Sequence, residues 1–305
     1  MSKINTTVKI GNMTMKNPVT TASGTFGSGL QMTDYVDLNR LGAITIKGTT
    51  LEARPGNLPP RIIESPSGIV ASVGLENPGV DAVLSDIIPK IAGYDSPIIV
   101  NIGGNTVEEY GEVARRLEVS EAVDAIEINI SCPNVKKGGM TFGTDPIVAG
   151  ATIASVRKNT TKTVIAKLTP SVTDITLMAQ VAKDNGADAL TLINGYPAMA
   201  IDINSKKPAL GNVFGGLCGP ALKPIALRMV YLTAQAVDLP IIGVGGIATW
   251  KDAVEYLLAG ATGVAVGTGN FLDPSATMKI VDGIEQYLID NGFEDIHDII
   301  GLAWK

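Results

Sequence analysis

The chain is short of the residues that build metal and disulfide chemistry. It has two cysteines, Cys132 and Cys218, and one histidine, His297, in 305 residues. With no Cys-x-x-Cys spacing, neither a zinc site nor an iron–sulfur cluster finds enough ligands, so no metal is expected. A chain of this length buries a full core without disulfide staples. Basic residues are also in deficit: 24 Lys and Arg stand against 30 Asp and Glu, a net charge of -6. That balance leaves no basic face for a phosphate backbone and excludes nucleic acid as a partner. Long apolar runs are missing too. The N-terminus carries no apolar signal core, and "LPIIGVGGIA" (239–248) is too short and glycine-rich to span a bilayer. A cytoplasmic protein without membrane contact is expected.

What recurs instead is a short apolar run followed by a helical pattern. The runs are "PVTTAS" (18–23), "AITIKG" (43–48), "PIIVNI" (97–102), "AIEINI" (125–130), "TVIAKL" (163–168), "ALTLIN" (189–194), "PIIGVG" (240–245) and "GVAVGT" (263–268). Such Val- and Ile-rich runs read as parallel strands buried on both faces. Helical patterns follow the third to seventh runs, and two of them end in "NGA" or "AGA", a glycine stop before the next strand. Eight βα units predict an α/β fold, a (β/α)8 TIM barrel forming one domain over residues 1–305; a doubly wound sheet is the alternative, and the length favours the barrel. "TTVKIGNMTMKNP" alternates on both sides of Gly11-Asn12 and reads as an N-terminal hairpin closing the barrel bottom. Two insertions, 49–79 and 195–224, follow strand C-termini and should build over the C-terminal face, where barrel active sites lie.

Polar residues and glycines collect at the strand ends: Ala22 and Ser23, Lys47, Asn101, Asn129 with Cys132 and Asn134, Lys167, Asn194, Gly245 and Gly246, Gly267 and Thr268. The glycine pairs after the seventh and eighth strands offer bare amides at the usual barrel phosphate site, which suits a phosphorylated cofactor. "GVGGIA" (243–248) also matches a dinucleotide fingerprint, but at the wrong place and without an acidic ribose partner, so that match is set aside. Lys47 and Lys167 interrupt otherwise apolar strands, where an unpaired ammonium is costly. They read as facing an anion such as the pyrimidine edge of a flavin, with a plain ion pair as the alternative. Cys132, between Ser131 and Pro133 on a polar loop, reads as an acid–base thiol; an inert buried thiol is its alternative. "VKKGGM" (135–140) offers glycine hinges for a lid over the site. Cys218 reads as a small loop residue near the site, and His297, in the helix-like "FEDIHDIIGLAW", as structural.

The motifs "NPVTTASGTFG", "ITIKGTT", "GLENPG", "VNIGG", "INISCPNVKKGG", "VIAKLTP", "GGLCGPALKPIALRMVY", "IIGVGGI" and "GVAVGTGNF" run through nearly the whole chain. On them the sequence resembles the class 1B dihydroorotate dehydrogenases, catalytic subunit. The cysteine speaks against the membrane-bound class 2 branch, which uses a serine base. The resemblance implies that FMN is held by Ala22, Ser23, Lys47, Asn101, Asn129, Lys167, Gly219, Gly245, Gly246, Gly267 and Thr268. Cys132 would be the base, with Lys47 and Lys167 in the catalytic set. Substrate would meet Lys47, the backbone of Val73, Gly74 and Leu75, and Asn129, Asn134 and Asn194. It further implies a homodimer and a second subunit carrying FAD and a [2Fe-2S] cluster that passes electrons to NAD. Three positions depart from the family pattern: Ala71 stands for an asparagine, Gly195 for a hydroxyl residue and Cys218 for a serine. These departures motivate a rival reading, a flavin oxidoreductase acting on a different dihydropyrimidine or related cyclic amide. A flavin-free phosphate-sugar barrel and a non-catalytic binding subunit are the readings from other classes.

Overall fold

The computed structural model describes residues 4–130 and 142–305. Its centre is an eight-stranded parallel sheet: β1 (Val19–Thr21), β2 (Ile44–Thr49), β3 (Ile98–Ile102), β4 (Ala125–Asn129), β5 (Thr163–Leu168), β6 (Ala189–Leu192), β7 (Ile241–Val244) and β8 (Gly263–Val266). Their spatial order is β1-β8-β7-β6-β5-β4-β3-β2, chain order wrapped on itself. The β1/β2 seam carries no regular ladder and is stitched by threonines. Thr20 Oγ1 donates to the Ala43 carbonyl at 2.9 Å and meets Thr45 Oγ1 at 3.0 Å, while the Thr45 amide donates to Thr21 Oγ1 at 3.1 Å. Hydroxyls of the shortest barrel strand, β1, thus satisfy backbone groups at the edge of β2, which would otherwise be buried without partners.

Five of the outer helices stand where the periodicity predicts them: α1 (Val107–Glu118), α2 (Pro146–Lys158), α3 (Ile175–Asp184), α4 (Lys223–Ala236) and α5 (Trp250–Leu258), joined by α6 (Ala276–Asp290). Side chains of Thr106, Asp145, Asp174 and Thr249 cap the starts of α1, α2, α3 and α5 by accepting backbone amides. The αβ turns after α3 and α5 do end on left-handed glycines, Gly186 and Gly260. The core is one continuous layer of Val, Ile, Leu and Ala between strands and helices, with Tyr110 and Tyr256 among its largest fully buried side chains.

The N-terminal hairpin pairs Val8–Ile10 with Met13–Met15 around Gly11, and a Cβ at Gly11 would strike Thr163 at the start of β5. It therefore sits under the barrel, as its alternation predicts. The insertions meet over the opposite end in one antiparallel sheet, ordered Tyr196–Ala198, Gly215–Cys218, Gly68–Ala71, Ile62–Ser65. One local expectation fails: around His297 the chain forms only the 3₁₀ turn Ile296–Asp298, because the Asp295 side chain caps the His297 amide and the flanking backbone bonds to Asn5. His297 remains structural, its Nδ1 2.6 Å from Asp295 Oδ1.

Candidate active site

Parallel strands bring their C-terminal residues to one rim, and there the polar strand-end residues meet. Asn101 lies beside Glu127 in the β3/β4 register, and Asn129 and Thr191 flank Lys167 across β4, β5 and β6. Lys167 is buried, at 6 % exposure, and its Nζ lies 3.3 Å from Glu127 Oε1 and 3.4 Å from Ser23 Oγ. Glu127 is itself 3 % exposed and accepts further bonds from Asn101 Nδ2 at 2.6 Å and Thr191 Oγ1 at 2.8 Å. Among the described residues Asn101 Oδ1 is buried with no partner. Its direction follows from chemistry: a carboxylate only accepts, so the amide NH2 must face Glu127 and the carbonyl oxygen must face away.

Asn194 Nδ2 donates to Asn129 Oδ1 at 3.2 Å and its own Oδ1 accepts the Gly195 amide at 3.0 Å, so these two asparagines hold each other on the rim. The Asn129 carbonyl is in turn fixed by the phenol of Tyr110 at 2.8 Å. Lys47 is half-buried on β2, and among the described residues its ammonium has no hydrogen-bond acceptor. Burial lowers its pKa; Glu76 opposes the shift and Arg61 adds to it. The Val73 to Leu75 segment leans over the same rim, with Leu75 Cδ2 3.2 Å and Leu75 Cδ1 3.0 Å from where Cβ atoms would stand at Gly48 and Gly103.

On the far side of the rim, Gly219, Gly246, Gly267 and Thr268 converge. Gly246 has φ +67°, and a Cβ there would lie 2.9 Å from the Gly219 carbonyl oxygen. One added at Gly219 would lie 3.6 Å from Thr268 Cγ2, and one at Gly267 would lie 3.4 Å from Ala22 Cβ. Among the described residues the amides of Gly246, Gly267 and Thr268 have no backbone acceptor. Near the start of α5 three amides are already used: Asp252 accepts from Ala248 and Thr249, and Thr249 caps Asp252. Tyr256 steadies this loop from below by donating to the Gly245 carbonyl at 2.7 Å, and burial pushes its phenol pKa up, so it stays a donor.

The three departures cluster. A Cβ at Gly195 would lie 3.1 Å from both Cys218 Sγ and Gly216 Cα, and Ala71 is the ladder partner of Gly216. The Cys218 sulfur occupies space that a side chain at 195 would need; burial raises its thiol pKa, with Lys167 opposing. Neither Ser72 nor Glu76 reaches in to replace an asparagine at 71. Ser72 Oγ is bound by Asn57 at 3.0 Å and Asn212 at 3.2 Å, and Glu76 pairs with Arg61.

Cys132, Asn134 and the glycines of 135–140 lie outside the described residues. The remaining expected residues, Ala22, Ser23, Lys47, Val73, Gly74, Leu75, Asn101, Asn129, Lys167, Asn194, Gly219, Gly245, Gly246, Gly267 and Thr268, all lie at or over one end of the barrel. Four supporting residues escape a reading of strand ends: Glu127, Thr191, Tyr110 and Tyr256. Glu127 carried a visible signal, since a charge inside "AIEINI" breaks the same rule that singles out the two lysines. The tyrosines carried none, because a buried aromatic on a helix reads as core. Among the described residues no group of three or more His, Cys, Asp or Glu could hold a metal ion.

A family model described as dihydroorotate dehydrogenase matches residues 5–288. The chain is 52 % identical over 303 residues to the "Dihydroorotate dehydrogenase B (NAD(+)), catalytic subunit" of Desulforudis audaxviator, covering 99 % of both chains. Proteins of the same name from Desulforamulus reducens (53 % over 301 residues, 99 % of each) and Thermoanaerobacter pseudethanolicus (52 % over 298, 98 % of each) are equally similar. Family match, end-to-end identity and a parallel barrel with its polar rim agree, and the chain belongs to the dihydroorotate dehydrogenase family.

Proposed function

We propose that this chain oxidises dihydroorotate to orotate, in pyrimidine biosynthesis, with FMN as its bound cofactor. The observation that carries this reading is Asn101 Oδ1, buried without a partner among the described residues, whose amide shares Glu127 with Lys167, at the same rim as glycine amides that no backbone acceptor among those residues uses. The residues present fit the group. A buried acceptor suits a ring NH, the Lys167 ammonium suits an electron-rich ring edge, and the cradle of Gly219, Gly246, Gly267 and Thr268 suits a phosphate. Ala22, Ser23, Lys47, Asn129 and Gly245 complete the set of FMN contacts.

FMN, when bound, supplies the acceptor for the hydride that leaves carbon 6 of the substrate. The chain's own residues do the rest. Lys47, an ammonium without an acceptor, pairs with the substrate carboxylate. Asn129 and Asn194, locked to each other, present amide groups to the ring together with Asn134 and the backbone of Val73 to Leu75. Cys132 removes the proton from carbon 5, and the ring of apolar strands below keeps that charge transfer away from bulk water.

The relatives are catalytic subunits of NAD(+)-linked enzymes, which supports a second subunit here that carries FAD and a [2Fe-2S] cluster and hands electrons to NAD. The same reading includes a homodimer. A cytoplasmic location is supported by the absence, among the described residues, of any helix long and apolar enough to cross a membrane. One barrel domain over 1–305 is supported by the single continuous core. The relatives' names favour dihydroorotate over another dihydropyrimidine.

An anaerobic absorbance titration tests the proposal. The purified protein should be yellow, and dihydroorotate should bleach its flavin band; Cys132→Ser should slow that bleaching at neutral pH. A flavin that dithionite reduces but dihydroorotate does not would sink the substrate assignment, and a colourless protein would sink the cofactor.

A further inference from the structure

A carboxylate in the middle of a barrel is expensive, since desolvating it costs several kcal/mol unless both its oxygens are hydrogen-bonded. Glu127 meets that demand with three donors from three other strands: Asn101 Nδ2 at 2.6 Å, Thr191 Oγ1 at 2.8 Å and Lys167 Nζ at 3.3 Å. An apolar residue would fill the same volume at lower cost, so a purely structural role leaves the charge unexplained. What the charge accomplishes is visible in its partners. It forces Asn101 to turn its NH2 inward and its unpartnered Oδ1 outward. It also holds the Lys167 ammonium and leaves that end of the site close to neutral rather than net positive.

We propose that Glu127 is a positioning residue that fixes the acceptor end of Asn101 toward the cofactor and, by balancing Lys167, holds down the electron affinity of the bound flavin. This rests on the reading that the site takes FMN. A neutral residue at 127 would remove the carboxylate charge that faces the Lys167 ammonium at 3.3 Å. Reduced flavin, which gathers negative charge along its pyrimidine edge, would then gain stability relative to the oxidised form.

The measurement is the equilibrium midpoint potential of the bound FMN, by dye-coupled anaerobic titration, in wild type, Glu127→Gln, Glu127→Asp and Thr191→Val. Glu127→Gln should shift the reduction equilibrium toward reduced flavin by about tenfold, about 30 mV for a two-electron couple, with a displaced flavin absorption band. Glu127→Asp, which keeps the charge, should stay nearer wild type. Thr191→Val removes a neutral donor and leaves the carboxylate's charge less satisfied, so it should move the potential the opposite way. Should Glu127→Gln fail to fold or to retain FMN, Thr191→Val decides. Unchanged potentials in the variants that do bind flavin would overturn the role of Glu127 while leaving the functional reading standing. A wild-type protein that binds no flavin would remove both.

Discussion

Replacing Gly246 by alanine should release the cofactor without unfolding the barrel. The backbone there has φ +67°, a region that costs a residue with a Cβ roughly 1–2 kcal/mol. The new Cβ would also stand 2.8 Å from Lys223 Cβ and 2.9 Å from both the Gly219 carbonyl oxygen and the Lys223 amide nitrogen. Lys223 cannot easily retreat, because Asp252 at 2.7 Å and Glu255 at 3.0 Å hold its ammonium. The loop after β7 must therefore shift, and the Gly246 amide moves with it. If cofactor binding restores the original loop, it bears that strain together with about 1 kcal/mol for the disturbed hydrogen bond. The total of about 2–3 kcal/mol corresponds to roughly 30- to 140-fold weaker FMN binding. Titrating stripped protein with FMN and following the quenching of flavin fluorescence measures this directly. Gly292→Ala is the control: φ is +75° there too, but nothing lies within 4 Å of the new Cβ, so it should lower thermal stability and leave FMN affinity alone. A Gly246→Ala protein that binds FMN within about threefold of wild type, or a Gly292→Ala protein that loses it equally, would refute the reasoning.

Because burial sets the Lys47 pKa below its unfolded value, its unpaired ammonium destabilises the fold below the folded pKa, and that penalty fades as pH rises to the unfolded one. Lys47→Met should therefore raise the melting temperature at neutral pH, a gain that disappears toward the lysine range, as calorimetry across pH would show. The same shift makes orotate binding weaken at a lower pH than an exposed lysine would dictate; an isothermal titration series should show that dependence in wild type and none in Lys47→Met. Gly195→Ala should cost about 1–3 kcal/mol by overpacking against Cys218 and Gly216, and a denaturant-measured double-mutant cycle with Cys218→Ala should recover part of it. Additive losses would show that the two positions are not coupled. Thr20→Val breaks the β1/β2 seam and should lower stability by about 1 kcal/mol per hydroxyl bond lost, without moving FMN affinity; a change in affinity with no loss of stability would contradict the seam's structural role.

The sequence by itself determined the barrel, its helices and the end at which chemistry gathers. Apolar runs of strand length alternating with helical periods leave few ways to bury both faces, and parallel strands put every C-terminus on one rim. Lys47, Lys167 and the glycine pairs were legible for the same reason, since a charge or a bare amide inside an apolar run needs a partner. Only the tertiary structure decided how those groups are held. The bonds from Glu127 to Asn101, Lys167 and Thr191 span residues far apart in the chain, and the direction of the Asn101 amide depends on which neighbour is a carboxylate. Tyr110 and Tyr256 look like core residues in one dimension and become site residues only when their hydroxyls reach strand-end carbonyls. Ala71, Gly195 and Cys218 read as three separate departures until the upper sheet packs them around Gly216, where one sulfur fills the space another residue has given up. Periodicity is a property of neighbours along the chain; hydrogen-bond direction and shared volume belong to neighbours across it, and no local pattern encodes them.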